Sequence, residues 1–196
     1  MKKLFLIIVI TFTCISLNSQ NQTLLFDVVH KGKSIGTLKA EKIIEGDATT
    51  YTSDTDIEFH MLMTIKIQYM YAVVYKSETL DNAKVLVMLK GHERTNVKTV
   101  KDGYAYTYFS DNKKVKEINE EITNSVEKLF FEEPIGVSKV YAEEHGVFHD
   151  IKSTKAHSYV KTAANGLENT YVYKDGMLQQ SDVDAGVIAF SIVRKD

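Results

Sequence analysis

The chain has 196 residues, with 24 Lys and Arg against 26 Asp and Glu, 44% hydrophobic residues, one proline, one cysteine and no tryptophan. These counts describe an ordinary globular chain and exclude disordered, collagenous and disulfide-stapled classes. A formal net charge of −2 supplies no basic footprint for nucleic acid or acidic lipid.

Lys2 and Lys3 form a cationic head, Leu4 to Leu17 form an apolar run broken only by Thr, Ser and Cys, and the polar stretch Asn18 to Gln22 follows. That order predicts a secretory signal peptide over residues 1–19, since the run is short of the ~20 apolar residues of a membrane span. Cleavage after Ser19 or Gln20 gives a periplasmic or secreted chain, 20–196, that is not an integral membrane protein. Losing Lys2 and Lys3 takes the net charge from −2 to −4. Cys14 offers the alternative of a lipid anchor, but Thr13 precedes it where a small residue is wanted, and Ile15 and Leu17 follow. Ordinary cleavage removes Cys14, and with it disulfides, thiolate catalysis and Cys-based zinc sites.

The remainder predicts one β domain, because no Pro-, Gly- or Ser-rich linker and no single-sign charge block divides it. Leu24–Lys31 and Ser34–Ile44 flank Gly32 as a hairpin. Glu45-Gly46-Asp47 then turns into Tyr51, Ser53, Thr55, Ile57 and Phe59 on one face. From Met61 to Tyr75 every odd position is apolar or aromatic, eight in succession, which predicts a strand of about 50 Å at ~3.3 Å per residue. A strand that long is expected to curl. Val85, Val87 and Leu89 precede Gly91, Val97 leads to Asp102-Gly103, and Tyr104, Tyr106 and Tyr108 alternate again. Asp-Gly between alternating runs is a hairpin signal, repeated at Asp175-Gly176 after Tyr171 and Tyr173, and Val187–Val193 reads as a last strand.

One stretch departs from the period of two. Ile122, Val126, Leu129 and Phe130 stand at i, i+4, i+7 and i+8, with Asn124 as N-cap and Pro134 as stop. This predicts one short helix ending near Glu132 or Glu133. The expected fold class is mainly β: a curved antiparallel sheet, half-barrel or open barrel, of about 10–12 strands with that helix plugging the mouth or covering one face.

Sites of reaction chemistry are weak. His145 and His149, with His157 nearby, would share a helix face, but Gly146 favours a turn into a strand. There four residues span ~13 Å, too far for one ion unless a hairpin bends. Asp54/Asp56 and Asp182/Asp184 lack the remaining ligands of a calcium loop. Glu120-Glu121, Glu132-Glu133 and Glu143-Glu144 are sequence neighbours that a strand points apart, which makes a glycoside hydrolase the weakest reading. No nucleophile elbow, P-loop or dinucleotide fingerprint occurs. The expectation is therefore a non-enzyme without metal or cofactor. Met61, Met63, Ile65, Ile67, Tyr69 and Tyr71 share one face of the longest strand; they form either filled core or the lining for an apolar, lipid-like ligand. The alternative is an accessory envelope protein that pairs with a protein partner through its sheet edges.

Phe26-Asp27-Val28-Val29, Gly32-Lys33-Ser34-Ile35-Gly36, Leu129 to Pro134, Glu144, Gly146-Val147-Phe148 and Asn169 to Tyr173 with Gly176 resemble an uncharacterised family of exported β-sheet proteins from Bacteroidota. The resemblance implies a periplasmic or secreted address and a curved antiparallel sheet, and carries no catalytic residue. More distantly, the expected architecture is similar to the half-barrels of periplasmic lipoprotein carriers, an analogy of fold alone.

Overall fold

A computed structural model describes residues 21–60, 64–184 and 188–195. The predicted signal peptide and Cys14 lie outside the described residues, as do Met61 and Met63. Eight strands run in an up-and-down meander: β1 (Gln22–His30), β2 (Lys33–Glu45), β3 (Ala48–His60), β4 (Thr64–Lys76), β5 (Thr79–Leu89), β6 (His92–Asp102), β7 (Ala105–Ser110) and β8 (Lys113–Ile118). A connector over residues 119–138 follows. The second meander is β9 (Lys139–Ala142), β10 (Val147–Lys155), β11 (Ser158–Thr162), β12 (Glu168–Lys174), β13 (Met177–Asp184) and β14 (Ala189–Arg194). Among the described residues these make one 14-stranded antiparallel sheet, more than the 10–12 strands expected.

The first strand pairs with the last, Phe26 opposite Arg194 and Val28 opposite Ile192, and so fuses the two meanders. Consecutive strands β8 and β9 consequently stand at opposite edges of the sheet. The sheet nevertheless curls: Leu24 of β1, Tyr106 of β7, Val140 of β9 and Tyr171 of β12 share one buried cluster with the connector residues Ile122, Leu129 and Phe130. A flat sheet of that width could not bring its ends into one core. This is the open, half-barrel architecture that the long alternating run predicts.

The β3–β4 hairpin is the longest ladder, with 13 pairs from Ala48–Lys76 to His60–Thr64. Its 13-residue strands span about 43 Å at ~3.3 Å per residue. Tyr51, Ser53, Thr55 and Ile57 all face inward, as their parity predicts. Tight turns at Lys31-Gly32, Lys90-Gly91 and Asp175-Gly176 carry positive φ at both central residues, the geometry whose twist matches that of the strands. Ser77-Glu78 and Asp111-Asn112 make the same turn without glycine. Tyr104 does not join the alternation of Tyr106 and Tyr108; it stands at the β6–β7 turn, fully exposed.

The predicted helix contracts to a 3-10 turn, Glu127–Phe130. Its N-terminal half is drawn straight because its backbone is spent on neighbours. Leu80 N–H donates to Ile122 O (2.8 Å), Tyr141 N–H to Asn124 O (2.9 Å), and Val126 N–H to Tyr141 O (3.0 Å). Asn124 caps nothing: Val126 holds the N-cap position, without a side-chain cap of its own. The helical spacing of Ile122, Leu129 and Phe130 records burial inside a curled sheet rather than a helix face.

A bulge at Ile35 shifts the β1–β2 register from Val28–Gly36 to Val29–Ser34, and at the next residue, Gly36, β2 lies close against β3. A Cβ at Gly36 would collide with the backbone carbonyl oxygen of Asp56 and lie 2.9 Å from Ile57 Cα. Backbone cannot swing aside as a side chain can, so Gly36→Ala is expected to destabilise the fold by about 1–3 kcal/mol. Urea unfolding of the variant against the parent chain checks this.

Candidate functional site

Inward positions of the curled sheet surround a half-open cavity of about 570 Å³, within the ~300–1,000 Å³ of small-molecule sites. Leu38 on β2, Thr55 and Ile57 on β3, and Tyr69 and Tyr71 on β4 form one wall. Leu178, Ser181 and Val183 on β13 with Phe190 and Ile192 on β14 line the cavity from the other meander. The connector supplies Val126, Glu127, Leu129 and Phe130, and the β9–β10 and β11–β12 turns contribute His145 and Leu167. The lining is mostly apolar because residues of one parity on each strand converge here.

The connector is held by donors and acceptors from the sheet. Glu143, just after β9, is buried and accepts from Val126 N–H (3.2 Å) and Glu127 N–H (3.1 Å), capping the 3-10 turn from another element. Tyr173 O–H donates to Leu129 O (2.8 Å), and Tyr51 O–H donates to Glu132, which also binds Lys42 Nζ at 2.8 Å. Burial raises the pKa of Glu143, and burial together with the Glu143 charge raises that of Glu127 well above the usual carboxylate range. One Glu127 oxygen, Oε2, has no hydrogen-bond partner.

A second polar group also lines the cavity. Lys161 on β11 is buried, 7% exposed, and its Nζ donates to His149 Nδ1 at 3.2 Å. Burial, then Lys161 and His145, push the His149 pKa down to about 4. His149 is therefore neutral at pH 7 and free to accept. Burial lowers the Lys161 pKa, while the negative Glu143 opposes that shift. Ser181 Oγ on the β13 wall is buried without a partner.

The structure distributes the six residues of the predicted ligand face unevenly. Tyr69 and Tyr71 line the cavity. Ile67 packs against the buried core instead, and Ile65, half-buried, pairs across from Phe59 on β3. Tyr71 O–H donates to Glu144 Oε2 at 3.0 Å, so β4 also holds the β9–β10 turn. The His145 and His149 rings stand 6.0 Å apart, nearer than an extended strand allows, because the Gly146 turn folds one toward the other. Even so, among the described residues no three His, Cys, Asp or Glu side chains converge on a point where a metal could sit. Glu132 and Glu133 are held by Tyr51 and Tyr159, and Asp182 by Ser191 and Thr170. Lys161 is the residue that sequence reading missed. Its one signal is that it shares the inward parity of Tyr159 on the same strand, where a lysine is out of place.

A plugged, barrel-like antiparallel sheet with an apolar interior cavity is the class that this geometry defines. The family model of DUF6134, a domain of unknown function, matches residues 26–195, and the chain belongs to that family. No curated protein matches the chain. A similar solved structure is the crystal structure of a beta-barrel-like protein of the domain of unknown function DUF1849 from Brucella abortus. It shows 7% identity and a TM-score of 0.59 over 89% of this chain and 95% of that one, a likeness of fold alone. Among the described residues no helix is long and apolar enough to cross a membrane.

Two outcomes follow from the polar groups. Glu143→Ala leaves Glu127 N–H without its acceptor and Val126 N–H with Tyr141 O alone, at an expected cost of about 1–3 kcal/mol, read as a lower thermal midpoint. For His149, the unfolded chain binds more protons than the folded one between pH 4 and the ordinary value of 6.5. Its contribution to stability is therefore complete above pH 6.5 and is lost as pH falls toward 4. Glu127 and Glu143, whose pKa values are raised, act in the opposite direction. His149→Gln is accordingly expected to be more destabilising at pH 7.5 than at pH 5, in paired denaturation curves.

Proposed function

We propose that this protein is an exported, non-enzymatic binder that holds an apolar or lipid-like molecule on the concave side of its sheet. The observation that carries this is the cavity itself. The connector fills one part of the curled interior with Leu129, Phe130 and Phe131, yet about 570 Å³ of mostly apolar space remains beside it. Filling that space with larger side chains would stabilise a purely structural core, so leaving it open favours a ligand. The one histidine buried in the wall is a weak base with Nδ1 already engaged, which suits a binding pocket better than acid–base catalysis. Export rests on the charged, apolar and polar order of residues 1–22.

The alternative of an accessory protein recruited through its sheet edges has less support. The β8 edge carries Lys113, Lys114 and Lys116, charges that oppose strand addition. The β9 edge is covered by the connector, which bridges Ser125 to Tyr141 in parallel.

Val183→Trp tests the reading by filling the cavity from a half-buried lining position, with Val172→Trp on the outer face of β12 as control. The neutral dye N-phenyl-1-naphthylamine is expected to bind the parent chain and the control, and to bind Val183→Trp at least about tenfold more weakly. Equal dye binding by all three, or by none, overturns the proposal.

A further inference from the structure

The cavity is mostly apolar, and among the described residues Lys161 is the one lysine or arginine in its lining. Its ammonium carries three donors and a full charge. One donor goes to His149 Nδ1, a neutral acceptor, at 3.2 Å. Among the described residues no carboxylate lies within ion-pairing distance of it. Glu143 is close enough to act through its field, but its oxygens already accept from Val126 and Glu127 N–H. A cation buried without a counter-ion is costly, and a side chain as long as lysine would ordinarily reach past the apolar surface to water. Here it is 7% exposed and faces the cavity. On β13, two strands away, Ser181 Oγ is 2% exposed and has no partner, a second polar group left unsatisfied by the protein.

We infer that Lys161 anchors the head group of the ligand: an amphiphile with a single carboxylate, seated against the Lys161 ammonium, whose apolar body lies between Tyr69, Tyr71 and the connector. A carboxylate supplies the missing counter-ion and accepts the remaining donors. A single negative charge fits better than a phosphate dianion, because the same cavity is lined by Glu127, Glu143, Glu144 and Asp184 and offers one buried cation. Asn169, directly opposite Lys161 on β12, also lines the cavity, and its Oδ1 accepts from Asp184 N–H at 3.1 Å. This assignment rests on the binding reading above, and the measurement separates the two.

Dodecanoate, dodecanol and dodecyl phosphate are titrated against the mature chain loaded with N-phenyl-1-naphthylamine, and the same is done for Lys161→Met. Dodecanoate is expected to displace the dye at about ten- to hundredfold lower concentration than dodecanol, and dodecyl phosphate to fall behind dodecanoate. In Lys161→Met the preference for dodecanoate over dodecanol is expected to vanish while dye and dodecanol still bind. Equal potency of dodecanoate and dodecanol on the parent chain overturns the anchor but leaves the cavity reading standing, and this arm needs no variant to fold. A preference that survives in Lys161→Met, or a stronger response to dodecyl phosphate, also overturns it. Failure of dye and all three probes to bind the parent chain removes both readings.

Discussion

The two edges of this sheet do not pair with each other, and most of the molecule is arranged around that fact. Closing a barrel would have abolished the edges by a backbone ladder. Here β8 and β9 are consecutive in the chain, yet they end a 14-strand sheet on opposite sides. The gap is bridged by tyrosine hydroxyls. Tyr108 O–H donates to Glu144 O at 2.6 Å, Tyr71 O–H to the Glu144 carboxylate, and Tyr141 O–H shares a 2.7 Å bond with Thr99. Gly146 permits the closest approach across the seam: its φ is +65°, and the Tyr108 ring occupies the place a Cβ would take, 2.5 Å away. Side chains can span such a gap without fixing its width as rigidly as strand pairing does. An interior of intermediate volume, neither filled nor sealed, is the consequence.

The connector follows from the same constraint. A chain that must pass from β8 to β9 without continuing the ladder has to cross the sheet, and here it crosses through the interior. Its backbone polar groups then need partners in an apolar space. Tyr106, Tyr173 and Glu143 provide them, so residues with polar tips appear in what is otherwise core. Two nearby buried carboxyls, Glu127 and Glu143, are part of the cost. Their raised pKa values reflect a site where holding a proton is easier than holding a second charge.

The strand pattern was legible because one parity of each strand is buried and the other wet. That accounts for the inward face of β3 and β4 and for the hairpins marked by Gly32, Gly91 and Gly176. The strand count fell short because Ser77-Glu78 and Asp111-Asn112 turn the chain at positive φ without a glycine. Those turns are imposed by ladders on either side, a tertiary effect that local composition does not display. The connector misled for a related reason. Spacing of apolar residues reports which side chains are buried, and inside a curled sheet an irregular segment is buried on nearly every side. The candidate site was half legible: Tyr69 and Tyr71 belong to it through strand parity. Lys161, Ser181 and the connector residues reach it only through the order of strands, which pairs β1 with β14 across the length of the chain.

That pairing also explains why the cavity has two unlike sides. The β1–β8 meander contributes long strands and aromatic residues, and its inward face at the cavity carries hydroxyls and rings but no cation. The β9–β14 meander has shorter strands, and it brings His145 from a turn, Lys161 from β11 and Asp184 from the end of β13 to the cavity. A mostly apolar cavity with a cation in its lining is poorly matched by a purely hydrocarbon ligand, which would leave Lys161 uncompensated, and equally by a small ion, which would leave the apolar lining wet. A molecule with both characters satisfies both. The unpaired edges, the buried connector and the cation in the cavity lining are thus connected: the first forces the second, the second divides the interior, and the third gives the remaining space a polarity.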